Sequence, residues 1–443
     1  MLKTFKLGGV HPPENKISRE KSIEVLDLPK KAFIPVGQVL GAPSVPLVKR
    51  GDMVKVGQLI AKGEAFISAN IHSSVSGKVF KIDDIVDSSG FRKKTIIIDV
   101  DGDEWEEGID TSNEIIRDIS LSKAEIIERI KASGIVGLGG ATFPSHVKLM
   151  VPKGKKAEVL IINGVECEPY LTSDHRLMLE KTEELLIGTK ILMKGLAVDK
   201  AIVGIENNKA DAIEKLTKVA KDYAGITILP LKVKYPQGGE KQLIKAAINR
   251  EVPSGALPIE VGAVVNNVGT TYAVYEAVQK NKPLVERIVT LTGKSLEETA
   301  NFLVRIGTPI SNLLESKNGL PEDTAKVISG GPMMGKTLTT IDAAVVKGTS
   351  GVLLIPEKES KRIESSTCIR CGKCVSVCPM GLEPHLLEKL VQIEDWEETQ
   401  KNNVMDCIEC GSCVYTCPSY RPLLDYIRLG KSKVGEIIRS RKK

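Results

Sequence analysis

From about residue 25 to 100, apolar positions come in short alternating runs, KAFIPVGQ, PLVKRGDMVKVGQLIAKGEA and NIHSSVSGKVFKI, broken by Gly and Pro. Alternation of that length, with β-branched residues between turn formers, predicts a compact all-β unit. From about 120 to 285 the period changes. SKAEIIERIKAS sets isoleucines at helical spacing behind Ser122 and Glu125, a capping box, with Gly134 as the stop. Short apolar runs (AEVLIING, KAIVGIE, ITILPLKVKY, GAVVNNV) then alternate with helical ones such as NKADAIEKLTKVAKDY and EKQLIKAAINR. That order predicts a parallel sheet covered on both faces, with ligands at the carboxyl ends of its strands. From about 286 to 355 the pattern reads as a small α+β unit, and the charged EKESKRIESS that follows reads as a linker.

Composition narrows the class. A chain of 443 residues allows about three domains. Lysine plus arginine number 62 against 56 acidic residues, a net charge of +6, and aromatic residues make up 4%. So mild a basic excess with so few stacking side chains argues against nucleic acid as a partner. No run reaches the roughly 18 apolar residues of a spanning helix, and MLKTFKLGGVHPPENK lacks the apolar middle of a secretory signal. The expectation is a cytoplasmic protein that meets a membrane only through a partner.

Eight of the nine cysteines fall near the end of the chain, in CIRCGKCVSVCP (368–379) and CIECGSCVYTCP (407–418). Both repeat CxxCxxCxxxCP, which wraps three thiolates around one iron–sulfur cube and sends the fourth to the other. Cys368, Cys371, Cys374 and Cys417 are therefore expected to hold one [4Fe–4S] cluster, and Cys407, Cys410, Cys413 and Cys378 a second. Disulfides and zinc fit less well, given no secretion signal and four cysteines per run rather than paired CxxC. The segment between the motifs, EPHLLEKLVQIEDWEETQ, reads as helical. Cys167 stands alone between two glutamates and reads as an incidental buried thiol.

The stretch SGIVGLGGATFPSHVKL (133–149) is the richest in glycine. Gly137 and Gly139 fit the first two places of GxGxxG, but Thr142 occupies the third and a helix rather than a strand precedes it, which disfavours a Rossmann loop. The stretch resembles instead the glycine-rich segment GxGGAGFPxxxK of the NADH-binding flavoprotein subunit of respiratory complex I, through Gly137, Gly139, Gly140, Ala141, Phe143, Pro144 and Lys148. Three further motifs follow in that family's order: NGVECEP, with Asn163, Glu166, Glu168 and Pro169; YPQGGEKQL, with Gly238 and Glu240; and NNVGT, with Asn266, Asn267 and Thr270. Thr142 stands for a family glycine and Val165 for a family aspartate. The resemblance implies an FMN site in which glycines admit the phosphate, Lys148 supplies a charge and the asparagines bond the flavin, while Glu168 and Glu240 hold hydroxyls or the amide of NAD(H).

Over the whole chain the sequence resembles the C subunits of Rnf electron-transport complexes. The resemblance is carried by KLGGVHPPENK, the flavin motifs, GTPISNLL with GGPMMG, the two-cluster tail, and a barrel whose tip (Phe66 to Asn70) lacks the lysine of biotinyl or lipoyl carriers. It implies a multidomain α/β architecture: a barrel-sandwich domain over 1–115, a Rossmann-like FMN/NADH domain over 116–285, an SLBB-type β-grasp domain over 286–355, and a helical two-cluster ferredoxin domain over 356–443. It also implies a peripheral protein on the cytoplasmic face of the membrane. Its partners would be the integral membrane subunits, the ferredoxin-like B subunit and, indirectly, ferredoxin. Two other readings are a soluble cobalamin reductase of the microcompartment type and a cluster relay that binds no nicotinamide. The tail RLGKSKVGEIIRSRKK reads as a solvated basic helix face, or as a docking surface for an acidic partner or anionic lipid.

Overall fold

The computed structural model describes residues 2–361 and 363–441. The alternating segment forms two facing antiparallel sheets. One runs Lys31–Pro35, Arg92–Val100, Gly77–Val86, Met53–Val54; the other runs Val45–Pro46, Leu59–Lys62, Ile71–His72. Ile34, Ile60, Ile71, Ile96 and Ile98 point inward from both and are fully buried.

The helix-and-strand segment forms a sheet in the order Ile226–Leu231, Ala201–Glu206, Val159–Asn163, Ala263–Asn267, with every neighbouring pair parallel. Successive residues serve opposite cores. Leu160, Ile162, Val203 and Ile205 face the helices Lys123–Ala132, Thr182–Leu196 and Val268–Gln279, whereas Val159, Ile161 and Val265 face Glu240–Ile248. Strands buried on both sides need continuous apolar runs, which is what the sequence supplies. Leu185, Leu186, Ile191 and Leu192 of the helix Thr182–Leu196 are wholly buried, so truncating any one to alanine should cost about 2–5 kcal/mol. The central strand Val159–Asn163 and its edge neighbour Ala263–Asn267 end in register, Asn163 opposite Asn267, which puts candidate side chains at the carboxyl ends.

A six-stranded sheet follows, ordered Ile23–Val25, Ala300–Arg305, Glu286–Gly293, Gly351–Pro356, Thr324–Ser329, Lys336–Thr337. Its edge strand comes from the amino-terminal segment, which the expected domain division groups with the barrel. Residues before that strand also leave the barrel: Lys3 bridges Leu231, Val10 bridges Tyr235, and Gly9 N–H donates to Val377 O at 2.8 Å. These are pairings between distant parts of the chain, which local patterning does not encode. The cysteine motifs sit among short helices packed on Pro384–Gln392 and Leu423–Ser440, around Leu387, Val404, Ile427 and Val434.

Candidate functional site

The glycine-rich loop connects the helix Lys123–Ala132 to the short helix Ser145–Leu149 and closes on itself through Gly137 N–H to Phe143 O at 2.8 Å and Thr142 N–H to Gly137 O at 3.1 Å. Three units grip it. Thr270 Oγ1, near the start of the helix Val268–Gln279, accepts Leu138 N–H at 2.8 Å. Arg287, wholly enclosed, donates to Leu138 O at 3.4 Å and to Lys347 O. From the barrel, Leu40 N–H donates to Thr142 O at 3.2 Å. Gly140 has φ +105 with open space where a Cβ would stand, so the main chain there is left bare. Thr142 has φ +48, the left-handed conformation its glycine counterpart would adopt without cost, and its methyl packs on Gly348. Thr142 thus takes up a conformation that glycine favours.

At the strand ends, Asn163 Nδ2 donates to Gly238 O at 2.9 Å and joins the two loops. Asn267 caps the helix Val268–Gln279 through Gly269 and Thr270 N–H, and its Nδ2 donates to Asp174 at 2.7 Å. A Cβ at Gly139 would touch Asn267. Lys148 Nζ donates to Val265 O at 2.9 Å and to Glu240 Oε1 at 3.0 Å, which brings the expected phosphate cation against one of the expected nucleotide carboxylates. Both side chains are part-exposed, so the pair contributes under about 1 kcal/mol and can yield to a ligand. Asn266 Nδ2 is buried with no partner. A buried amide donor left unpaired next in the chain to Val265, whose carbonyl holds Lys148, fits a ligand that brings an acceptor and an anion together, as FMN does.

The two glutamates of NGVECEP are used differently. Glu166 accepts the Asp174 and His175 N–H groups at 2.8 and 3.2 Å, so its carboxylate anchors the start of the helix Ser173–Glu180. Glu168 accepts Met334 N–H at 2.7 Å and Met333 N–H at 3.2 Å, and burial raises its carboxyl to about 7 against the pull of those amides. Val165, in place of the family's aspartate, is fully buried with Ile161, Leu231 and Leu243 and faces the core. The Cys167 thiol accepts Gly238 N–H at 3.3 Å, and burial pushes its pKa up, which leaves it un-ionised and structural.

Sequence patterning assigns no role to Lys16. Its ammonium donates to the carbonyls of Glu166, Glu168 and Leu171 at 2.8, 2.8 and 2.6 Å, and burial lowers its pKa to about 8. Lys209 likewise lies wholly inside and donates to Val165 O at 2.7 Å. The only signal for Lys16 is the KLGGVHPPENK segment, to which local chemistry gives no purpose; an isolated lysine in NNKAD gives none for Lys209.

Neighbouring cysteines cross between the two motifs. Cys407 is raised to about 11 by burial first and by Cys410 and Cys378; burial, Cys410, Cys407 and Cys378 likewise raise Cys413, and Cys374 is raised by burial with Cys417 beside it. Burial and the neighbouring thiols hold these cysteines protonated when free, and a metal cluster is what would draw their protons off and share the charge. Among the described residues no three His, Cys, Asp or Glu side chains converge as ligands of a single ion would; a cube spreads its thiolates more widely. Cys378, Cys410 and Cys413 are buried, whereas Cys368 and Cys371 are exposed. The buried set adjoins the parallel-sheet unit: Tyr235 Oη donates to Cys410 O at 2.8 Å, Gln242 donates to Pro379 O at 3.2 Å, and Gly8 lies against Cys378.

Comparison with known proteins gives three family matches: a RnfC barrel sandwich hybrid domain over residues 3–103, a Nuo51 FMN-binding domain over 130–276 and a 4Fe-4S dicluster domain over 360–418. The C subunit of the proton-translocating ferredoxin:NAD(+) oxidoreductase complex of Clostridium ljungdahlii is 49% identical, across 98% of this chain and 94% of that protein. Its counterpart in the Na(+)-translocating ferredoxin:NAD(+) oxidoreductase complex of Acetobacterium woodii is 44% identical, across 99% and 98%. A chain of an NAD+-reducing [NiFe]-hydrogenase in the H2-reduced state shares the fold at a TM-score of 0.51 and 17% identity; the match covers 72% of this chain and 63% of that one. With relatives this similar along nearly its full length, the chain belongs to the family of C subunits of Rnf-type ion-translocating ferredoxin:NAD+ oxidoreductase complexes.

Proposed function

We propose that the chain is the NAD(H)-exchanging electron-transfer subunit of a membrane ion-translocating ferredoxin:NAD+ oxidoreductase. The observation that carries this reading is the contact between the YPQGGEKQL loop and the buried cysteine set, where Tyr235 bonds Cys410 O at 2.8 Å a few residues before Gly238 and Glu240. Bound at the glycine-rich loop, FMN would supply the exchange of electron pairs with nicotinamide and of single electrons with clusters. The protein's part is placement. Gly140 leaves main chain open to the phosphate, Gly137 and Gly139 shape the loop that presents it, Lys148 gives it a charge, and Asn163, Asn266, Asn267 and Thr270 orient the ring and its chain. Glu166 fixes the turn, and Glu168 and Glu240 accept from nucleotide hydroxyls or the carboxamide.

Two [4Fe–4S] clusters are expected, an inner one on Cys378, Cys407, Cys410 and Cys413 and an outer one on Cys368, Cys371, Cys374 and Cys417. Exposure of Cys368 and Cys371 supports the outer set as the side that meets a ferredoxin-like partner. None of the described helices is long and apolar enough to cross a membrane. Attachment at the cytoplasmic face would then run through the integral membrane subunits. The four-domain division at about 115, 285 and 355, with an SLBB-type β-grasp third domain, belongs to the same proposal.

The test is composition after anaerobic reconstitution. Eight iron and one FMN per chain, about what two cubes and one flavin require, should be found, and Lys148→Ala should weaken FMN about tenfold or more with iron unchanged. Four iron per chain, or FMN affinity indifferent to Lys148, would contradict the assignment.

A further inference from the structure

The carboxylate of Glu168 is held by a loop that lies far away in sequence. The segment Gly330–Gly335, GGPMMG, turns between the strands Thr324–Ser329 and Lys336–Thr337, and its Met333 and Met334 amides donate to the two oxygens of Glu168 at 3.2 and 2.7 Å. Gly331 is fitted to that carboxylate. The three nearest atoms a Cβ there would meet all belong to the Glu168 side chain: Oε2 in overlap, Cδ at 2.8 Å and Cβ at 3.0 Å. Gly331 is not among the residues with positive φ, so an alanine backbone is allowed and Glu168 is what excludes the methyl. On its far side the loop meets the inner cysteine set. Met333 packs with Val10, Tyr235 and Cys410, and a Cβ at Gly411 would stand 2.9 Å from Met333 O.

The geometry points to the Gly330–Gly335 loop as the element that positions Glu168 for nicotinamide nucleotide, an inference that rests on reading Glu168 as a nucleotide ligand. An ionised carboxylate offers about four acceptor directions. Two are taken by the amides, which fixes the side chain and leaves the others for ribose hydroxyls or a carboxamide. The same amides favour the ionised, accepting form against burial. Glu168 is thus oriented before the nucleotide arrives, and Gly331 is glycine so that it can be.

A double-mutant cycle on the reconstituted holoprotein tests this, with NAD+ affinity measured calorimetrically and flavin content and thermal midpoint as controls. Glu168→Ala should weaken NAD+ at least tenfold. Gly331→Ala should weaken it by a similar factor in the wild-type background and cost far less in Glu168→Ala, where the carboxylate is gone and only the Cβ of residue 168 still stands near its methyl. In turnover with an artificial acceptor, Gly331→Ala should raise KM for NADH far more than it lowers kcat. Wild-type NAD+ affinity in Glu168→Ala would overturn the reading of Glu168 itself. A weakened Glu168→Ala beside an unaffected Gly331→Ala, or a Gly331→Ala penalty that persists undiminished in the double variant, would overturn the positioning role alone. Should Gly331→Ala not fold, Glu168→Asp decides: it keeps the charge but falls short of both amides, so its affinity should match Glu168→Ala, and wild-type affinity would overturn the inference.

Discussion

The three carbonyls that Lys16 joins, those of Glu166, Glu168 and Leu171, belong to the turn that carries both glutamates of NGVECEP. Lys16→Met keeps the apolar stem and strands those carbonyls. At about 1 kcal/mol or more for each one left unpaired, the variant should lose roughly 3 kcal/mol of stability, read as a lowered unfolding midpoint, and NADH affinity with it. Glu168 supplies a pH dependence. Its carboxyl is raised from 4.5 to about 7 by burial, so the accepting form dominates above that pH and is lost as pH falls through it. NAD+ affinity should drop roughly tenfold between pH 8 and pH 6, and Glu168→Gln should flatten that profile. A wild-type profile that is already flat would show that the carboxylate does not contact the nucleotide. The candidate motif residues were legible through resemblance to a known flavoprotein segment, and local chemistry then gave each a use: glycine for bare main chain, lysine for charge, asparagine for amide bonds. What occupies Glu168 was not legible, since nothing near NGVECEP announces the Met333 and Met334 amides.

Among elements, the glycine-rich loop depends most on its neighbours. It has few bonds of its own, and the barrel reaches it through Leu40 N–H to Thr142 O. Leu40→Pro deletes that donor while changing a side chain that is 60% exposed. At about 0.5–1.5 kcal/mol for one such bond, FMN should bind about two- to tenfold more weakly, as flavin fluorescence would report; unchanged affinity would mean the barrel does not support the loop. The carboxyl-terminal helix Leu423–Ser440 corrects a simpler expectation. Its basic residues are not all a solvated face, because Lys431 donates to Cys407 O at 2.6 Å and to Glu409 at 2.8 Å, and Arg428 also bonds Glu409. Lys442 and Lys443 lie outside the described residues. With Cys407 as a ligand of the proposed inner cluster, the ammonium bonded to its carbonyl favours the reduced, more negative state. Lys431→Met should therefore lower the potential of the inner cluster and spare the outer, as a redox titration followed by electron paramagnetic resonance would show. The helical period of this segment was visible in sequence; which of its lysines turn inward depends on where the cysteine loops lie.

Across the whole molecule, three units meet at Lys347. Its enclosed ammonium donates to Asn70 O of the barrel at 2.8 Å and to Gly134 O beside the glycine-rich loop at 2.7 Å, and burial lowers its pKa from 10.5 to about 7. Between those values the unfolded chain binds the proton and the folded one does not, so this group makes folding more favourable as pH rises through the window. The difference in unfolding midpoint between wild type and Lys347→Met should shift in favour of wild type from pH 7 to pH 9; a constant difference would contradict the assignment. The passage from the barrel to the helix-and-strand unit was legible because the hydrophobic period changes from two to 3.6 between about residues 100 and 120. The junctions between units were not, and neither was the amino-terminal segment that joins two of them, because contacts hundreds of residues apart leave no local pattern. Together these junctions set the candidate flavin pocket against the inner cysteine set. The most direct test is an anaerobic NADH titration of the FMN- and cluster-loaded protein, with flavin bleaching followed optically and cluster reduction by electron paramagnetic resonance. Bleaching of the flavin by NADH, followed by signals from reduced clusters, is the predicted result. A fully loaded protein that responds to neither NADH nor NADPH would contradict it and leave a relay between partners.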